Sequence, residues 1–270
     1  MLPILISLGP VKIYSYGIFL FVGLFIALYF WWKMGRDEHF DEIALFDGYF
    51  LSLITYFVTG RLGYVLTHME EVGTLYRTLA ILAFPGINAV IGIVCATLFL
   101  ILFARNNDWD PWKVMDSYVV SLSMVLVFGG IGGLLNGTTP GIVASWGVLY
   151  PGIAEKIVPV DAFIIIWGLI TFGIVSKVRK NFRFYAWYKG ESSVAQEGLA
   201  SLIFGVAAGI CFMVTGWIMR DGMPKLFNVI PGEFVLGLLL IAVCVYLIEK
   251  RVGRRDTTLW GKLKAIIRRK

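Results

Sequence analysis

The sequence predicts an all-α, polytopic integral membrane protein with seven transmembrane helices, its N-terminus outside and its C-terminus cytoplasmic. Three observations predict it. Of 270 residues, 58% are hydrophobic and only 16% charged; seven apolar runs are each long enough to cross a bilayer; and Lys and Arg collect on alternate loops. A soluble domain carries about 25% charged residues, and a chain this apolar cannot cover its own surface with polar groups. Disorder, collagen and disulfide scaffolds are excluded with the soluble class. Cys95, Cys211 and Cys244 all lie inside apolar runs, so they read as lipid-facing or packing residues, without redox or zinc spacing.

A hydrocarbon core about 30 Å thick takes roughly 20 apolar residues of helix, and backbone groups in lipid are satisfied only by helices or closed barrels. The first run, at roughly 13 to 32, follows Gly9-Pro10 and is too long, and too poor in small residues at its end, for a cleaved signal peptide. The second, at roughly 43 to 66, contains Arg61 near its end; the third runs from roughly 80 to 104. The fourth, at roughly 114 to 136, ends in a glycine-rich stretch. The last three fall at roughly 158 to 176, 198 to 219 and 227 to 248. Residues 1–250 thus form one transmembrane domain, and 251–270 a basic cytoplasmic tail.

Orientation follows the positive-inside rule. Lys33, Arg36, Arg105, Lys113, Lys177, Arg179, Lys180, Arg183 and Lys189 lie after odd-numbered spans, with nine more basic residues from Lys250 to Lys270. Only Lys12, Arg77, Lys156, Arg220 and Lys225 fall on the opposite side. The net charge of +6 is therefore a topology marker, and no nucleic acid is needed to explain it. The tail segment Leu259 to Arg268 has apolar residues at helical spacing with basic ones between. It reads as an amphipathic helix on the anionic inner leaflet or as a disordered basic anchor. Phe182 to Lys189, rich in Arg, Tyr and Trp, reads as interfacial.

Polar residues within or beside spans are the functional candidates, since Arg at the bilayer centre costs about 2.5 to 3.5 kcal/mol. Arg61, in Gly60-Arg61-Leu62-Gly63-Tyr64, either binds a lipid phosphate bidentately or snorkels and pairs structurally. The stretch Phe128 to Gly141, with glycines at 129, 130, 132, 133, 137 and 141, brings backbone close either to a lipid headgroup or to another helix. Asn136 orients a ligand oxygen or caps the helix. Tyr14 and Tyr16 open the first helix, where an aromatic belt also explains them. His68, Glu70 and Glu71 follow the second helix as loop residues. Asp161 and Glu233 enter spans within about a turn of the end, where solvation is expected.

In this order, these stretches resemble the prolipoprotein diacylglyceryl transferase family of the bacterial inner membrane. Ser7-Leu8-Gly9-Pro10 to Tyr16-Gly17 looks like its Gly-Pro followed by Tyr-Gly, and Gly60 to Val65 is similar to its Gly-Arg-x-Gly-Tyr segment. Its signature, Gly-Arg-x-Gly-Asn-Phe-x-Asn-x-Glu-x-x-Gly, falls on Gly129 to Gly141. Gly129, Gly132, Asn136 and Gly141 match and Gly137 stands between Asn136 and the Glu position, whereas the family's Arg falls on Gly130, its first Asn on Gly133 and its Glu on Thr138. The family's third-helix His-Gly-Gly falls on Ile87-Asn88-Ala89, and its run before the fifth helix keeps only Pro159.

The resemblance implies transfer of diacylglyceryl from phosphatidylglycerol, or another anionic phospholipid, to a lipobox cysteine in a prolipoprotein signal peptide. It implies no metal or diffusible cofactor. Tyr16, Arg61, Asn136, Gly132 and Gly137 would bind lipid and phosphate, with His68 as candidate base. The missing cations and histidine leave a second reading open, a non-catalytic relative that binds lipid or a partner. Two lost charge-assisted hydrogen bonds, at roughly 1.5 to 3 kcal/mol each, would slow turnover by several orders of magnitude. A transporter fits less well: the spans hold almost no charge besides Arg61 and show no carboxylate relay or clear repeat.

Overall fold

The computed structural model describes residues 4–8, 11–72, 75–79, 86–150, 155–189, 197–220 and 229–251. Along the chain come strands β1 (Ile4–Leu8) and β2 (Val11–Tyr14), then helices α1 (Ser15–Asp37), α2 (Glu42–Thr67), α3 (Met69–Val72), α4 (Leu75–Leu79), α5 (Ala89–Asn106) and α6 (Pro111–Asn136). Strands β3 (Pro140–Leu149) and β4 (Lys156–Pro159) follow, and α7 (Val160–Lys189), α8 (Leu199–Ile218) and α9 (Gly232–Arg251) complete the described order. The seven expected spans correspond to α1, α2, α5, α6, α7, α8 and α9, each long and apolar enough to cross a membrane. The tail beyond Arg251 lies outside the described residues.

Local chemistry fixes the helix ends. Asp41 caps α2, its side chain accepting the Ala44 amide at 2.9 Å. The third span begins later than the sequence predicts, because Asn88 is extended (φ −83°) and caps α5 by accepting the Ile91 amide at 3.2 Å. Residues 86–88 are accordingly not helical. Pro111 opens α6, where its missing N–H costs nothing. Gly137, at φ +72°, closes α6: its N–H and that of Thr138 both return to the Gly133 carbonyl, at 2.7 and 3.1 Å.

Two antiparallel hairpins add to the all-α reading. In the first, Leu8 pairs with Val11 and Ile4 with Tyr14, ending directly at α1. In the second, Pro140 pairs with Pro159 and Leu149 with Lys156. Val143 and Val148 both stand opposite Ile157, so residues 144–147 bulge out of the ladder, carrying Trp146 at 67% exposure.

The chain divides into two compact units, one of residues 1–27 with 119–270 and one of residues 28–118. In the second unit α2 packs on α5 through glycine: a Cβ at Gly92 would lie 2.7 Å from the Tyr56 ring, and one at Gly63 2.6 Å from Ile91. Trp31 donates its indole N–H to the Leu45 carbonyl at 2.8 Å, and Phe40 stacks on Trp109 with centroids 4.5 Å apart. In the first unit Gly23 of α1 meets Phe128 of α6, Gly168 of α7 meets Val127 of α6, and the Trp167 indole donates to the Ala207 carbonyl of α8 at 2.9 Å. Backbones approach most closely between α8 and α9, where a Cβ at Gly209 would lie 2.7 Å from the Gly237 carbonyl and one at Gly237 would meet the Gly209 carbonyl. Small residues at such crossings give helices their dispersion contacts in lipid, where hydrophobic association is absent.

Replacing Gly237 by Val should therefore separate α8 from α9 and cost about 1 to 3 kcal/mol, the usual range for overpacking. A fall in the thermal unfolding midpoint of detergent-purified protein checks this; an unchanged midpoint would show that the crossing tolerates a branched side chain.

Candidate functional site

In the first unit, the end of α6 is a glycine face that neighbouring groups enter. A Cβ at Gly132 would lie 2.9 Å from the Tyr16 Cα, so the start of α1 rests on α6 there. A Cβ at Gly130 would lie 2.8 Å from Ile165 and 3.3 Å from the Asp161 carbonyl, which fixes the start of α7. At Gly133 a Cβ would meet the Asp161 carboxylate at 2.7 Å, and at Gly137 the Tyr150 ring at 2.7 Å. Gly133 lies in the last turn of α6, and the Gly137 amide folds back onto its carbonyl. Their missing side chains make room for a carboxylate and a phenol.

The second hairpin delivers both groups. Because Pro140 pairs with Pro159, Thr139 comes beside the first turn of α7, and Asp161 accepts the Thr139 amide at 3.3 Å and the Thr139 hydroxyl at 3.0 Å. Asp161 is only 4% exposed and Glu233 only 5%. The expected solvation of both is therefore corrected: the hairpin encloses Asp161, and Glu233 packs its Cβ against Gly216 of α8. Tyr150, directly after β3, is 5% exposed, and its buried phenol oxygen has no hydrogen-bond partner among the described residues. Burial, and then the Asp161 charge, push this phenol up from its ordinary value, so it keeps its proton at neutral pH. The hairpin is tied to the end of α8 by a bridge between Gly141 and Met219 and by the Arg220 amide, which donates to the Pro140 carbonyl at 3.1 Å.

Of the residues predicted from sequence, Tyr16, Gly132, Asn136 and Gly137 all lie in this unit. Tyr16 is the second residue of α1 and exposed. Asn136 ends α6, exposed, with its amide N–H 3.5 Å from the Thr138 hydroxyl, while Gly137 performs the helix termination. Thr139 and Tyr150 escaped the sequence reading. Glycines at 133 and 137, at the end of a helix and beside a hairpin, were the signal that could have found them.

The second unit holds Arg61 and His68 on α2 and its cap. Arg61 is 4% exposed. Its Nε donates to the Thr78 carbonyl at 3.0 Å, Nη1 to the Gly86 carbonyl at 2.9 Å and Nη2 to the Arg77 carbonyl at 2.7 Å. Among the described residues, three of five N–H groups are thus engaged with backbone, leaving two. The flanking glycines serve helix packing: a Cβ at Gly60 would lie 2.7 Å from Ile87. The guanidinium also lies 5.7 Å from the Tyr64 ring centroid, and Tyr64 stacks on His68 at 4.2 Å. His68 Nδ1 sits 3.2 Å from the Tyr64 carbonyl and 2.9 Å from the Thr67 hydroxyl. In the tautomer whose Nδ1 carries the hydrogen, Nδ1 donates to that carbonyl and Nε2 presents its lone pair. The imidazole is exposed, which suits a base that must meet a substrate. Among the described residues no group of three or more His, Cys, Asp or Glu could hold a metal ion.

Comparison with known proteins agrees with the sequence resemblance. The family model described as prolipoprotein diacylglyceryl transferase matches residues 3–249. A relative from Clostridium perfringens, named phosphatidylglycerol–prolipoprotein diacylglyceryl transferase 2, is 24% identical over 91% of this chain and 94% of its own length. One of the same activity name from Wolbachia pipientis is 24% identical over the same shares. One from Desulfotalea psychrophila is 33% identical over 55% of this chain and 57% of its own length.

Removing the guanidinium with Arg61→Met should strand the carbonyls of Arg77, Thr78 and Gly86 and destabilise the protein by about 3 kcal/mol or more. Arg61→Lys, with a single ammonium, should recover only part of that. Thermal unfolding in detergent reads both, and a wild-type midpoint for Arg61→Met would show that these three bonds do not hold the unit together.

Proposed function

This chain belongs to the prolipoprotein diacylglyceryl transferase family, and we propose that it moves the diacylglyceryl group of phosphatidylglycerol onto the lipobox cysteine thiol of a prolipoprotein. The observation that carries the reading is the extent of the match. It covers residues 3–249 and with them all seven apolar spans, and relatives with this activity name align over 94% of their length. The protein is a multi-pass membrane protein, and the proposed location is the bacterial inner membrane with the N-terminus outside.

In the proposed reaction the cysteine sulfur attacks the glycerol carbon that carries the phosphate ester. The C–S bond forms as the C–O bond breaks, the electron pair leaves with glycerol phosphate, and the thiol proton passes to a base. Thiolate is the reactive form and an ordinary cysteine is mostly protonated at neutral pH, so the base accelerates the step. His68 is the candidate, with Nε2 free to accept. Tyr16, Asn136, Gly132 and Gly137 would bind the lipid. Arg61 would stabilise the departing phosphate through its two remaining N–H groups. No metal or diffusible cofactor enters this scheme.

One observation favours a second reading, a non-catalytic relative that binds lipid or a partner: the Arg61 guanidinium already serves three backbone carbonyls. Purified protein, phosphatidylglycerol and a lipobox peptide separate the two. The enzyme reading expects a thioether-linked diacylglyceryl peptide by mass spectrometry, and His68→Gln should lower its rate by about 10²- to 10⁴-fold. No product at any enzyme concentration, and no rescue of cells depleted of their own transferase, would leave the non-catalytic reading.

A further inference from the structure

Asp161 and Tyr150 form a pair that the scheme above does not use. The carboxylate faces Gly133 in the last turn of α6 and the phenol ring faces Gly137, the left-handed residue that ends the helix. Asp161 is 96% buried, and among the described residues its hydrogen bonds are the two from Thr139. A carboxylate offers about four acceptor positions, so about two stay open. Tyr150 is 95% buried, and among the described residues its oxygen has no hydrogen-bond partner. Buried hydroxyls in folded proteins almost always have a partner. The two groups interact electrostatically yet are not hydrogen-bonded to each other. An acceptor-only anion and an unpartnered O–H donor thus sit near one another, both withdrawn from water.

One small group satisfies both. An alcohol hydroxyl donates its hydrogen to the carboxylate and accepts the phenol O–H on its oxygen. An ammonium would serve the carboxylate but could accept nothing from the phenol. A phosphate would accept from the phenol but meet the carboxylate as a like charge. We propose that Asp161 and Tyr150 hold an alcohol hydroxyl of a glycerol-bearing phospholipid headgroup, and that they select lipids by that hydroxyl. The inference rests on the transferase reading only in taking a phospholipid as the ligand. Thr139 is the positioning residue, since its amide and hydroxyl aim the carboxylate.

The test compares two lipids of equal phosphate charge and identical acyl chains, dioleoyl phosphatidylglycerol and dioleoyl phosphatidylethanol, which lacks the headgroup hydroxyls. They compete for the detergent-purified full chain, read by native mass spectrometry. The expected wild-type preference for phosphatidylglycerol is about tenfold or more, as one charge-assisted hydrogen bond gives. Tyr150→Phe and Asp161→Asn should each bring it close to parity, and Thr139→Val should reduce it. Tyr150→Phe keeps the ring on Gly137, so its thermal midpoint should stay near wild type and separate lost recognition from lost fold. Equal wild-type binding of the two lipids overturns the inference and leaves an ordered water as the bridging group. A preference that survives Tyr150→Phe overturns it as well. A Tyr150-dependent preference without any thioether product upholds it while the transferase reading fails. Product formed without any preference has the opposite meaning.

Discussion

The first unit is organised by the side chains that α6 does not have. Ile165, the Tyr16 backbone, the Asp161 carboxylate and the Tyr150 ring each occupy a place where a Cβ on α6 would stand, between 2.7 and 2.9 Å from its ideal position. Helix propensity is lost at each glycine, roughly 1 kcal/mol relative to alanine, so α6 is locally a poor helix held by its neighbours. In exchange the starts of α1 and α7 and the end of β3 reach one short stretch of backbone. The arrangement of polar groups there follows from those approaches. Asp161 is buried because α7 begins against Gly130, and Tyr150 is buried because Gly137 both ends the helix and admits the ring.

A second device organises the other unit by different physics. There a full charge is withdrawn from water and compensated by three carbonyl dipoles. Insertion of an arginine near the end of a span is tolerable when its donors are satisfied within the protein. The same guanidinium lies over Tyr64, which carries His68 on its other neighbour position along α2. The Arg61 guanidinium therefore both orders the backbone around it and begins the column that ends at the exposed imidazole.

Much of the fold was legible in the sequence, because lipid allows so few solutions. Seven apolar runs became seven helices; α7 runs on past its apolar stretch to Lys189, and α5 starts later than hydropathy alone would place it because Asn88 caps it. The hairpins were not legible. Val143, Trp146 and Val148 read as more apolar chain, and the pairing of Pro140 with Pro159 depends on a register that no local signal announces. Among the site residues, the glycines pointed to close approach without saying what approaches. Asp161 illustrates the gap best: its distance from the span end suggested water, whereas a strand twenty residues earlier in the chain closes over it.

The glycine face also bears on how this chain came to differ from the pattern it resembles. By that resemblance an arginine belongs at Gly130 and an asparagine at Gly133, and both places are now filled from outside, by Ile165 and by the Asp161 carboxylate. Restoring either side chain alone would drive it into an occupied space. Each of the two places is thus coupled to the residue that fills it, so that admitting a side chain at either one requires its present occupant to move as well.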